Sequence, residues 1–169
     1  MQFVTIGGVT IGVCILAATL VQWWPGAKTL RSDPLRCAGG LLPFLFACCY
    51  GALITLGVGG LIGWAADTTL WITNWLGDAA LVWGVGGQVE QHSTSSAYIP
   101  LTQVGGGIVL ILSAGMVAAI KKSRHGRDLK WGTWCGITLG TSAGVAGAAA
   151  VPLAQATNWL GVQVYGVIA

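Results

Sequence analysis

Long apolar stretches alternate with short polar turns along this chain, and four of the stretches are long enough to cross a membrane. A helix of about 20 apolar residues spans the hydrocarbon of a bilayer. The pattern therefore predicts membrane-spanning helices over residues 3–21, 38–64, 101–120 and 131–151. Pro152 follows the last stretch and predicts the end of that helix.

Two further apolar segments, 67–83 and 153–169, are interrupted by polar residues. On a helix that turns by about 100° per residue, Asp67, Asn74 and Asp78 fall within roughly 40° of one another. A stripe of tryptophans runs beside them: Trp64, Trp71 and Trp75. A polar stripe beside a tryptophan stripe is typical of a helix that lies in the membrane interface. We therefore predict an interfacial amphipathic helix at each place, with re-entry into the bilayer as the alternative.

The basic residues decide between a crossing and an interfacial position for residues 67–83. If these residues lie flat, both basic turns fall on one side of the membrane, as the positive-inside rule requires. We predict that both turns are cytoplasmic and both termini external. The turns are expected to contact anionic phospholipid or, in an assembly, nucleic acid or another polyanion. The eight residues are Lys28, Arg31 and Arg36 in the first turn and Lys121, Lys122, Arg124, Arg127 and Lys130 in the second.

A five-residue sequence occurs twice, since residues 73–77 and residues 157–161 both read Thr-Asn-Trp-Leu-Gly. Two shorter matches keep the same order: Ile6-Gly7-Gly8 with Val104-Gly105-Gly106, and Thr55-Leu56-Gly57 with Thr138-Leu139-Gly140. Because each copy would contain two crossings, both copies would have the same orientation. We predict two tandem parallel hairpins, 1–84 and 101–169, each ending in an interfacial helix, with an external linker over 85–100.

The composition places the chain among membrane proteins. Hydrophobic residues make up 54% of it and charged residues 8%, against about 25% charged residues in soluble proteins. The predicted class is an all-α, polytopic integral membrane protein of a bacterial cell membrane. The five cysteines lack metal-ligand spacing, and the sequence shows neither paired carboxylates nor a nucleophile–base set. We therefore expect no enzyme activity, no metal and no cofactor.

Glycines recur at four-residue steps within the apolar stretches, and such faces let helices approach closely in lipid. Two uses are open: they pack the helices of one chain together, or they join neighbouring copies in a homo-oligomer. The candidates are Gly8, Gly12, Gly59, Gly63, Gly132, Gly136, Gly140 and Gly144. The tryptophans expected to anchor helices at the membrane interface are Trp23, Trp24, Trp64, Trp71, Trp75, Trp131, Trp134 and Trp159.

Three functions fit this layout. The first is a self-assembling membrane subunit that forms a scaffold, ring or tube. In topology and composition each half resembles the two-helix pilins of conjugative secretion systems, whose copies pack side by side with basic turns lining a lumen. That resemblance implies a component of a macromolecule conduit and assigns no individual residues. The second function is a holin-like pore, and the third is an accessory subunit of a larger membrane complex or a passive channel.

Overall fold

The computed structural model describes residues 3–27, 34–56, 60–87, 91–93, 101–141 and 145–168. Within these ranges the chain forms six helices and one short two-stranded antiparallel sheet. The elements are β1 Phe3–Thr5, α1 Ile6–Ala27, α2 Pro34–Thr55, α3 Gly60–Val85, β2 Gln91–Ser93, α4 Gln103–Lys122, α5 Gly126–Gly140 and α6 Val145–Ile168. The predicted helical character is confirmed.

The predicted number of membrane-spanning helices is wrong. In the described part of the chain, two helices are individually long and apolar enough to cross a membrane, over Ile6–Trp24 in α1 and over Gln103–Lys122 in α4. A third span results if α2 and α3 together form one bent crossing, so the structure supports two or three spans instead of four. This length and composition are consistent with a membrane protein.

The span predicted over residues 131–151 fails because α5 is too short. It has 15 residues, which corresponds to roughly 22 Å at 1.5 Å per residue, against a hydrocarbon thickness of about 30 Å. Its first turns also carry Arg127, Asp128 and Lys130. Pro152, predicted to end this span, lies inside α6 instead.

The single continuous helix predicted over residues 38–64 is wrong, because the structure divides it between α2 and α3. Helix α2 ends at Thr55, and α3 begins at Gly60 at an angle of 107° to it. Gly60 has φ +77°, a left-handed conformation that glycine adopts without steric cost. Residues 67–83 therefore do not continue the direction of the preceding helix.

The predicted external linker contains a strand that its composition did not indicate. Strand β2 pairs with β1, which directly precedes α1, and Phe3 is opposite Ser93 while Thr5 is opposite Gln91. The pairing ties residues that follow α3 to the start of α1. Three residues per strand leave little room for an alternating pattern, so the sequence carried no signal for it.

Helices α2 and α5 form the most extensive contact between any two elements of the described structure. A Cβ atom at Gly132 would lie 2.5 Å from the carbonyl oxygen of Phe44, and one at Gly140 would lie 2.8 Å from Cα of Ala52. Gly136, between them, approaches the backbone of α2 more closely still. Because the contacting positions rise together along both helices, α2 and α5 run parallel.

The first helix of each half runs opposite to this parallel pair. In α1, Gly12 lies beside Thr138 of α5, while Gln22 and Arg127 border the same cavity. The C-terminal end of α1 therefore lies at the same end of the bundle as the start of α5. Helix α4 is antiparallel to α2, since Leu101 packs on the cluster that contains Leu56 and Ser113 contacts Tyr50.

The principal hydrophobic core lies where these helices meet. Its largest cluster draws on α2, α3, α4 and α5, so both halves of the chain contribute to it. Its buried members are Ala47, Tyr50, Ile54, Ala66, Leu70, Val109, Met116, Leu129 and Ile137. Two hydrogen bonds cross it, from Tyr50 Oη to Ser113 Oγ at 2.6 Å and from Trp134 Nε1 to Thr73 Oγ1 at 2.7 Å.

Replacing Gly136 with alanine should destabilise the protein, because the added methyl group would collide with the backbone of α2. Overpacking of this kind costs about 1–3 kcal/mol. The matched control is Gly106→Ala, whose Cβ also meets nothing within 4 Å and whose cost should stay within about 0.5 kcal/mol. The free energy of unfolding in mixed detergent micelles measures both. Equal stability of the two variants would contradict the close packing of α2 on α5.

Candidate functional site

The repeated five-residue sequence lies in the middle of α3 in one half and in the middle of α6 in the other. The two copies have matching environments. The threonine and the glycine are buried in both copies, and each threonine hydroxyl donates to the carbonyl four residues earlier, at 2.7 and 2.8 Å. The tryptophan and the leucine face outward: Trp75 is 64% and Trp159 62% exposed, and Leu76 is 49% and Leu160 47% exposed.

Both copies pack on the first turn of the first helix in their own half. In the first half, a Cβ at Gly7 would lie 2.5 Å from the backbone nitrogen of Asp78, the residue after the repeated sequence. In the second half, a Cβ at Gly161 would lie 3.0 Å from the backbone nitrogen of Gly105. A side chain at Gly7 would collide with this backbone, and one at Gly161 would make an unusually tight contact. The glycines of the two repeated patterns therefore meet each other in both halves.

The asparagine of the repeated sequence also lies at this contact. Asn74 Oδ1 faces Gly8 near the start of α1, and Asn158 Oδ1 faces Gly105 near the start of α4. Asn158 Oδ1 accepts hydrogen bonds from the backbone nitrogen of Thr102 at 3.0 Å and from its hydroxyl at 3.1 Å. Asn158 thus fixes the N-cap residue of α4.

Threonine caps the first helix in each half. Thr5 Oγ1 accepts from the backbone nitrogen of Gly8 at 3.2 Å, and Thr102 Oγ1 accepts from the backbone nitrogen of Gly105 at 3.2 Å. Such a cap satisfies one of the unpaired N–H groups at a helix start. The caps were not predicted from the sequence, although a threonine three residues before a glycine, at the start of an apolar run, was the available signal.

This arrangement is suited to holding helices together. A hydroxyl bonded to its own helix and an amide that caps a neighbouring helix are structural roles. Across the described ranges, no three histidine, cysteine, aspartate or glutamate side chains gather where they could hold a metal ion.

The predicted packing glycines are buried or face another helix of the same chain wherever the structure describes their surroundings. Gly8 faces α3, Gly12 faces α5, and the glycines of α5 face α2. Gly63 is buried in α3. Gly59 and Gly144 fall outside the described residues. These contacts correspond to the first of the two uses considered for the glycine faces, packing within one chain.

The predicted basic residues that the structure describes gather at the end of the bundle where α4 turns into α5. All five side chains are exposed: Lys121, Lys122, Arg124, Arg127 and Lys130. His125 Nδ1 lies 3.4 Å from Asp128 Oδ2 beside them. Lys28 and Arg31 fall outside the described residues, and so does the side chain of Arg36 at the start of α2.

The predicted tryptophan anchors differ in their exposure and contacts. Five are well exposed on helix surfaces: Trp24, Trp64, Trp71, Trp75 and Trp159. Trp23 is partly buried. Trp131 and Trp134 stack with ring centroids 5.8 Å apart, and Trp134 also donates to Thr73 across the bundle. Trp134 therefore joins α5 to α3, a role beyond that of a surface anchor.

No protein-family model, curated protein or solved structure matches this chain.

Replacing Asn158 with alanine should loosen the start of α4, because it removes the acceptor for both groups of Thr102. Loss of a hydrogen bond of this kind costs about 0.5–1.5 kcal/mol. Hydrogen exchange of the amides of residues 102–106 should become several-fold faster. Gln155→Ala, at an exposed polar residue of the same helix, is the control and should leave these rates unchanged. Unchanged hydrogen exchange in Asn158→Ala would contradict the role of Asn158 in fixing Thr102, the N-cap residue of α4.

Proposed function

We propose that this protein is a non-enzymatic structural subunit of the bacterial cell membrane that assembles with copies of itself into a scaffold, ring or tube. The supporting observation is the outer face of α4. This helix is long and apolar enough to cross a membrane, and the residues along one side of it are exposed.

The outer face of α4 combines bulky apolar residues with small ones. Leu110, Ile111 and Val117 are 61%, 72% and 56% exposed. The small residues on the same side are Gly107, Ala114, Gly115 and Ala118. A Cβ at Gly107 or at Gly115 would meet nothing within 4 Å, so no neighbour within the chain requires glycine there.

Small residues matter at such a face because the hydrophobic effect does not drive association between helices in lipid. Close approach of two backbones over small residues supplies van der Waals contact instead. The glycine faces of α1 and α5 are already occupied within the chain. The outer face of α4 is therefore our candidate for contact between copies.

The described basic residues give such an assembly a further property. They lie together at one end of each copy, so a closed ring of parallel copies would carry a collar of positive charge at one rim. A collar of this kind would attract anionic lipid headgroups, nucleic acid or another polyanion. This favours the conduit version of the scaffold, with the basic turns on the cytoplasmic side and the two halves related as parallel repeats.

Gly115→Leu should dissociate the assembly, because the added side chain projects from the outer face of α4 into open space and keeps a second copy at a distance. The matched control is Gly84→Leu, whose position near the end of α3 is equally open. The measurement is the mass of the purified protein in mild detergent by light scattering, with imaging of the particles.

We expect a multimer for the natural sequence and for Gly84→Leu, and a smaller species for Gly115→Leu. A monomeric natural protein would contradict self-assembly and would favour an accessory subunit or passive channel. A multimer of unchanged size in Gly115→Leu would contradict the α4 contact.

A further inference from the structure

A groove of about 590 Å³ runs along the outside of the bundle between α1 and α5. Volumes of this size are typical of sites for small organic ligands. Its walls along α1 are Ile11, Ile15 and Ala18, and the buried ring of Phe44 from α2 contributes to its floor. The groove is open on one side, which a ligand could enter laterally from a surrounding bilayer.

One end of the groove is polar and is bordered by one cationic and one anionic side chain. Arg127 and Trp131 of α5 border it there, with Gln22 of α1 opposite. Asp128 also borders it, and its carboxylate lies 3.4 Å from the ring of His125. Among the ion pairs between described residues, none involves Arg127. The guanidinium of Arg127 is exposed and stands in the first turn of α5, where helix N–H groups also favour an anion.

The length of the groove matches one leaflet of a bilayer. The α1 residues that line it extend from Ile11 to Gln22, and eleven helical steps cover roughly 16 Å. Half of the hydrocarbon thickness is about 15 Å. A chain that enters at the polar end would therefore reach the middle of the bilayer where the groove ends.

We propose that this groove binds one anionic phospholipid, with its phosphate at Arg127 and one acyl chain along α1. The guanidinium matches the geometry of a phosphate through paired N–H donors. Trp131 supplies an amphipathic ring at the depth of the headgroup. The acyl chain covers apolar surface that α5 leaves open beside the C-terminal half of α1. The proposal rests on the membrane location in the proposed function and does not depend on self-assembly.

Native mass spectrometry of the full chain, released from mild detergent with added lipid, tests this site. Phosphatidylglycerol should be retained about fivefold more than phosphatidylcholine, the ratio that one charge contact of about 1 kcal/mol gives. Arg127→Gln should abolish this preference. Arg124→Gln, which removes an exposed cation of the same turn that does not line the groove, should preserve it. Equal effects of the two variants would overturn the headgroup assignment.

A second pair of variants tests the acyl chain. Ala17 and Ala18 are adjacent and both exposed on α1, but only Ala18 lines the groove. Ala18→Phe should fill the groove and reduce retention of both lipids several-fold, whereas Ala17→Phe should not. Unchanged retention in Ala18→Phe would contradict binding in the groove. An equal loss in both variants would do the same.

The same spectra also distinguish lipid binding from binding of free phosphate, and lipid binding from self-assembly. Millimolar inorganic phosphate should leave the lipid bound, and its displacement of the lipid would show a site for free phosphate and overturn the proposal. The spectra also report how many copies of the chain are present. A monomer that retains phosphatidylglycerol would support lipid binding in the groove and contradict self-assembly. A multimer without bound lipid would support self-assembly and contradict lipid binding in the groove.

Discussion

The structure depends on the direct backbone contact between α2 and α5. Three glycines at four-residue steps on α5 remove the side chains that would otherwise separate the two helices. Close approach of two backbones over small residues supplies van der Waals contact between the helices. Because the contact is parallel, it also fixes the relative direction of the two halves. The other helices are arranged around this pair.

A second, smaller contact is made once in each half. The repeated Thr-Asn-Trp-Leu-Gly sequence lies where α3 meets the start of α1 and where α6 meets the start of α4. In both places, glycine packs on glycine, and the asparagine amide lies at the first turn of the helix. This shared contact accounts for the threonine, asparagine and glycine of the repeated sequence, which lie at or beside it in both copies. The intervening tryptophan and leucine face outward in both copies.

The sequence predicted the helices and their approximate places well, because long apolar runs and glycine steps are strong signals. It failed at the helix ends. The apolar stretch from residue 38 to 64 is divided by a bend of 107° between α2 and α3, and α3 begins at Gly60 with a positive φ. Pro152 lies inside α6 instead of ending a helix. Neither glycine nor proline alone therefore predicted where these helices end. The bonds from Tyr50 to Ser113 and from Trp134 to Thr73 join positions about 60 residues apart. No local pattern can predict such pairs.

The most direct test of the account is the side of the membrane on which the two basic turns lie, because parallel packing of α2 on α5 requires the turns to share a side. Cysteines introduced as Arg31→Cys, Arg124→Cys and Gly84→Cys are treated in intact cells with a membrane-impermeant thiol reagent, with the natural sequence as background. The account predicts labelling of Gly84→Cys in intact cells, and labelling of the other two only after the membrane is opened. Opposite accessibility of residues 31 and 124 would contradict it.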